Sequence, residues 1–266
     1  MFSPLLSIKR AWEIWSNDYF ASQYDYFQNL TTITINTKDF IMKQGGVIFD
    51  FNGTLFWDSE YQESSWDEYL KMQNIKLTKQ QKREYIHGRN GKDTFEILFN
   101  RKLNDSEVNQ FIEEKEILYR KECLKHKMEL APGVKPLLEY LKAEKIPMAI
   151  ATAAGKTNVD FFIEKFNLLT YFKREHIIYD DGSIKGKPNP DLFEKAINRL
   201  GVDKENSIIF EDSYSGIHAA INSKVGTVII VKSTDENFES FNLPIIKHFD
   251  EFDKNILKNI GTTNPM

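Results

Sequence analysis

Apolar residues along this chain follow two rhythms. Short unbroken runs, at 47–49, 148–151, 177–179, 207–210 and 227–231, are rich in isoleucine, valine and phenylalanine and read as buried strands. Between them apolar residues recur at i, i+3 and i+4, predicting helices over 135–144, 157–166, 190–200 and 215–223. Ala131-Pro132-Gly133-Val134, Asp180-Asp181-Gly182-Ser183 and Gly201 punctuate the pattern as turns and a helix stop. Strands separated by helical crossovers imply an α/β, Rossmann-like parallel sheet with helices on both faces.

One block breaks the alternation. From about 59 to 128 only helical spacing occurs, over 61–73, 79–86, 93–99 and 105–125. It reads as an all-helical cap inserted after the first strand. The expected organisation is a core of 42–58 and 129–254, a cap of 59–128 and a tail of 255–266. The 249–252 segment is expected to close the core. Residues 1–41 stand apart, with Trp12, Trp15, Tyr19, Phe20, Tyr24, Tyr26 and Phe27. They fit an upstream extension, a docking segment or a helix packed on the main body. Because every chemical motif follows Met42, this segment is expected to be dispensable for activity.

Composition narrows the class. With 266 residues, 41% hydrophobic and 28% charged, the chain is long enough for one large domain or one domain plus an insert. A net charge of −4, with acids and bases interspersed, lacks a nucleic-acid footprint. The one cysteine, Cys123, excludes an internal disulfide framework and favours a reducing setting. No apolar run reaches the ~20 residues of a membrane span. Lys9, Arg10 and Glu13 interrupt any signal-peptide core, so a cytoplasmic location is expected.

The chemistry gathers at the predicted strand ends, where open parallel sheets bind ligands. The first strand ends on Asp50, the second on Thr152 and a later one on Glu211-Asp212. Several carboxylates converging in one crevice raise one another's pKa unless a cation sits among them. Oxygen-only ligands suit Mg²⁺ better than zinc, and few protein ligands leave positions open for water or a phosphate. Lys187, in GKPNPD, can neutralise an anionic substrate, while the Thr152 hydroxyl and the Ala153 and Ala154 amides can donate to phosphoryl oxygens. Each residue has a blander reading as a turn, a strand end or a surface lysine. Turn chemistry alone, however, would not place carboxylates at two strand ends.

These residues resemble the haloacid dehalogenase superfamily, in its phosphatase and β-phosphoglucomutase-like branch. DFNGTL at 50–55 is similar to the family's first motif, Thr152 after IPMAIA to its second, KPNPD at 187–191 to its third and FEDSYSGI at 210–217 to its fourth. The resemblance spans roughly 47–231. It implies that Asp50 is a nucleophile forming an aspartyl-phosphate. It also implies that Asp50, the backbone carbonyl of Asn52 and Asp212 bind Mg²⁺, with Glu211 a direct ligand or a support, and that Thr54 and Ala153 contact substrate.

Within the block, IHGRNGKDTF at 86–95 lies where this branch places recognition residues. Arg89 could hook a distal anion with its fork, and His87 and Lys92 are weaker candidates. The mutases carry an arginine at the position matched by Gly91. The implied activity is a Mg²⁺-dependent phosphomonoester hydrolase acting on a small phosphorylated metabolite, such as a sugar phosphate, as a monomer or weak dimer. A β-phosphoglucomutase-like isomerase and a catalytically weak phosphate-ester binding protein are the alternatives. The second residue after the family's nucleophile is normally an acid/base aspartate. Here it is Asn52, whose amide exchanges no proton at neutral pH, so slow turnover is expected.

Overall fold

The computed structural model describes residues 44–86, 91–183 and 185–260. The readings for 1–41, His87 and Arg89 therefore lie outside the described residues. Six strands form one parallel sheet: β1 Val47–Phe49, β2 Met148–Gly155, β3 Ile177–Asp180, β4 Ile208–Glu211, β5 Thr227–Val231 and β6 Ile245–Ile246. Their order is β3-β2-β1-β4-β5-β6, so the chain moves outward from β1 in one direction and then returns to build on β1's other side. That reversal puts the switch point, and hence the crevice, at the carboxyl ends of β1 and β4. The two-residue β6 has no counterpart in the apolar pattern, being too short for a run, and only its pairing with β5 defines it.

Both faces of the sheet are covered, which is why its strands read as unbroken apolar runs. Val47 and Phe49 point into one layer with Leu137, Leu138, Leu141 and Phe162. Ile48, between them, points into the other with Phe193, Ala196, Ala219 and Ala220. The first layer is closed by α5 Val134–Ala143 and α6 Lys156–Phe166, the second by α7 Asp191–Leu200 and α8 Tyr214–Asn222. Phe249 packs at a tilt against Phe49 and Phe210, with ring centroids 6.2 and 5.2 Å apart. Leu257 and Ile260, in the segment read as a tail, are also buried in this core.

Between β1 and α5 the secondary structure of the described residues is four helices: α1 Ser59–Met72, α2 Lys79–Tyr85, α3 Gly91–Phe99 and α4 Asp105–Cys123. The starts of α2 and α4 are written in the sequence, since Thr78 with Gln81 and Asn104 with Glu107 make reciprocal capping boxes. The insert has its own apolar centre of Tyr69, Phe95, Leu103, Val108 and Leu118. Trp66 packs against it, while Trp57 packs on the core layer. β2 runs on to Gly155, past Thr152 where the apolar run stops, because pairing with β3 continues beyond a register shift.

Candidate active site

Strand register builds the site. Phe49 lies opposite both Ile150 and Phe210, so the next residues, Asp50 and Glu211, emerge side by side at the carboxyl edge. The Asp50 amide donates to the Phe210 carbonyl at 3.0 Å, which fixes the Asp50 loop to β4. The chain then turns tightly, with the Phe56 amide on the Phe51 carbonyl at 2.9 Å and the Gly53 amide on the Phe56 carbonyl at 2.7 Å. Gly53 has a φ of 79°, and a Cβ there would run into the Asp212 carboxylate.

Asp50, Glu211 and Asp212 each bring one carboxylate oxygen within 4.8 Å of the others. Lys187 is the cation among them. Its Nζ donates to Asp50 Oδ1 at 2.6 Å and to Glu211 Oε1, with all three side chains buried. The other Glu211 oxygen accepts from the Asp212 and Ser213 amides, both at 2.6 Å, and from Ser213 Oγ at 3.1 Å. Gly216 lies beneath this carboxylate, and a Cβ there would displace it. Asp212 accepts from Thr54 Oγ1 at 3.1 Å. The Thr54 hydroxyl is thus engaged by a neighbour, and it does not line the cavity described below.

One lysine does not balance three acids, two of them buried and Asp212 half-buried. Burial pushes Asp50 up to about 7, opposed by Lys187 and reinforced by Glu211. Asp212 is raised well above the carboxylate range by burial and by Glu211 and Asp50. Burial pulls Lys187 down, but Asp50 and Glu211 outweigh it and hold the ammonium above its usual range. The donor set is all oxygen and carries surplus negative charge. It suits a hard divalent cation such as Mg²⁺.

The Thr152 hydroxyl accepts from the Ala154 amide at 3.1 Å and faces Asn52 Oδ1 at 3.5 Å. Thr152, Ala153, Asn52, Asp50, Lys187 and Asp212 all line a cavity of about 990 Å³. Its opposite wall comes from the insert, including Trp66, Thr94, Phe95 and Lys115. Gly91 also lines it, whereas Lys92 pairs with Asp105 at 3.1 Å on an exposed surface.

Several residues of the site went unnoticed in the sequence. Lys115 Nζ donates to Gln62 Oε1 at 2.6 Å and to Glu116 Oε1 at 2.9 Å. Arg120 donates to Asn158 Oδ1 at 2.7 Å, and Asn158 donates to Glu116 Oε2 at 2.5 Å, linking α4 to α6. Asp58 is 2% exposed and accepts from Asn52, Gly53, Gln62 and Tyr119. Burial raises its pKa, and those four hydrogen bonds oppose the rise. The polar spacing 113, 116 and 120 puts these side chains on one face of α4, but such a face by itself reads as solvated, so the sequence carries no signal for the contacts.

The chain matches the family of haloacid dehalogenase-like hydrolases over residues 47–230, and it belongs to that family. Its fold is shared with a HAD hydrolase, family IA, variant 3, from Entamoeba histolytica, at 34% identity and a TM-score of 0.74, covering 82% of this chain and 100% of that one. A mutant of CbbY from Rhodobacter sphaeroides, in complex with xylulose-(1,5)bisphosphate, is similar at 22% identity and a TM-score of 0.65, over 78% of this chain and 96% of that one. A HAD family hydrolase from Deinococcus radiodurans with bound phosphate and sodium matches at 18% identity and a TM-score of 0.60, over 84% and 99%. No curated protein matches the sequence. Among the described residues, no helix is long and apolar enough to cross a membrane.

Proposed function

We propose that the protein is a Mg²⁺-dependent phosphomonoester hydrolase of small phosphorylated metabolites, with Asp50 as its nucleophile. The observation that carries this reading is Asp50 itself. Its carboxylate lines a cavity shared with the helical insert, is tied to Lys187 at 2.6 Å and lies beside Glu211 and Asp212. The phosphate and sugar-bisphosphate complexes of similarly folded proteins suit the same reading. The insert at 59–128 acts as the cap over this cavity, and the protein works in the cytoplasm.

In the first half-reaction an Asp50 oxygen attacks phosphorus, the ester P–O bond breaks, and the leaving oxygen takes its proton from water. In the second, water attacks the aspartyl-phosphate, releasing inorganic phosphate and restoring Asp50. Lys187 orients Asp50 and offsets phosphate charge, and Thr152 with the Ala153 and Ala154 amides receives phosphoryl oxygens. Bound between Asp50, the Asn52 carbonyl, Asp212 and Glu211, Mg²⁺ would supply charge neutralisation.

Asn52 cannot deliver the proton or activate the water. Losing a positioned acid/base costs about 10²–10⁴ in rate. Substrates whose leaving group needs no proton suffer least, and the second half-reaction becomes the slow step. Asn52→Asp should therefore raise turnover at least about tenfold. With an activated phosphate donor the parent chain should accumulate phospho-Asp50, visible by intact-mass spectrometry after rapid quench. Phosphate release from a panel of sugar and nucleotide phosphates with Mg²⁺ tests the whole reading. Ligand binding with no release from any of them would favour a phosphate-ester binding protein, an alternative supported by the engagement of the Asn52 amide.

A further inference from the structure

Asp58 is a buried acid that this chemistry leaves without a role. It does not line the cavity. It ends the nucleophile loop, immediately before α1, and every hydrogen bond it makes is one it accepts. Oδ2 takes Asn52 Nδ2 at 2.8 Å, Gln62 Nε2 at 3.2 Å and the Tyr119 hydroxyl at 2.6 Å, while Oδ1 takes the Gly53 amide at 3.0 Å. Both oxygens are occupied by donors. The Asn52 amide nitrogen also donates to the Tyr119 hydroxyl at 3.2 Å. Both of its protons are thus committed to partners outside the cavity wall. Turning the amide over would set its carbonyl against Asp58 Oδ2, lone pair against lone pair.

Asp58 stands at the entry to the insert, Gln62 in its first helix and Tyr119 in its last. The geometry points to Asn52 as a clasp between the Asp50 loop and the helical insert, held by Asp58 and Tyr119 as positioning residues, with its carbonyl oxygen the group it offers the cavity. An aspartate at position 52 would bring a second, half-buried carboxylate to the buried Asp58 at the same separation, where like charges repel. The amide that gives up proton exchange therefore gains a donor that the insert needs. This goes beyond the hydrolase reading and can fail without it, because the test needs no turnover.

The test is thermal unfolding and amide hydrogen exchange of the full chain at neutral pH. Asn52→Asp should lower Tm by roughly 6–20 °C, the size expected for an uncompensated buried charge in a domain of this length. It should also speed exchange in α4. Adding Asp58→Asn to that variant should recover at least half of the loss, because donor and acceptor have merely changed places. Tyr119→Phe should speed exchange in α4 with a smaller drop in Tm. If Asn52→Asp fails to fold, recovery of a folded chain in the double variant carries the same weight. An Asn52→Asp chain as stable as the parent, a double variant no more stable than Asn52→Asp alone, or unchanged α4 exchange in both Asn52→Asp and Tyr119→Phe would overturn the clasp.

Discussion

Asp58, at one end of the 50–58 loop, and the Asp50, Glu211 and Asp212 carboxylates, gathered at its other end, are satisfied by different means. Asp58 is surrounded by donors, two amide nitrogens, a tyrosine hydroxyl and a backbone N–H, and needs nothing more. Asp50, Glu211 and Asp212 share one lysine, with one threonine hydroxyl and a few amides at their edges. The first group is saturated and faces protein. The second carries more negative charge than its neighbours neutralise, and it faces a cavity. Buried acid alone therefore does not mark a ligand site. A deficit of donors beside open space does.

The comparison can be broken most sharply at Asp50. Asp50→Asn should lower phosphate release by at least roughly 10³-fold, as expected when a nucleophile that works as part of a unit is removed. Residual turnover above that level would move the nucleophile elsewhere. A second experiment contrasts the two groups directly by calorimetry with Mg²⁺. Asp212→Asn should weaken binding by at least ~10-fold, because it removes an oxygen donor and one charge. Asp58→Asn should leave Mg²⁺ affinity within about threefold of the parent, as a donor-saturated acid contributes no ligand. Equal losses in the two variants would erase the distinction. The smallest effect is expected at the cavity rim. Arg120→Ala breaks a charge-assisted hydrogen bond to Asn158 and a half-exposed ion pair with Glu113, and should cost about 1–3 kcal/mol in urea unfolding. It should change Mg²⁺ affinity little.

The deficient group was legible in the sequence and the saturated one was not, and the reason is topological. Asp50, Thr152 and Glu211-Asp212 each follow an apolar strand, so local pattern fixes their place and parallel pairing brings them together. Lys187 comes from the segment before α7 and reaches Asp50 across 137 positions, and only its GKPNPD context drew attention to it. Tyr119 meets Asp58, and Glu116 and Arg120 meet Asn158, through the packing of α4 against the Asp50 loop and α6. Helical periodicity says which face of α4 is covered, not what covers it. The helix bounds differed from expectation by one or two residues, as with α3, which starts at Gly91 rather than 93. β6 was missed because two residues carry no period.

Gly216 gives the site a weakness that a stability engineer would meet first. It lies in the first turn of α8, where exchanging glycine for alanine ordinarily gains up to about 1 kcal/mol by reducing the freedom of the unfolded chain. Any scheme that scores helical glycines for replacement would select it. The added methyl would occupy the space in which the Glu211 carboxylate rests, pushing it off the Ser213 and Asp212 amides and away from Lys187. A variant chosen for heat resistance could thus fold well and lose the alignment of its charged centre, so screening by melting temperature alone would reward the wrong molecules.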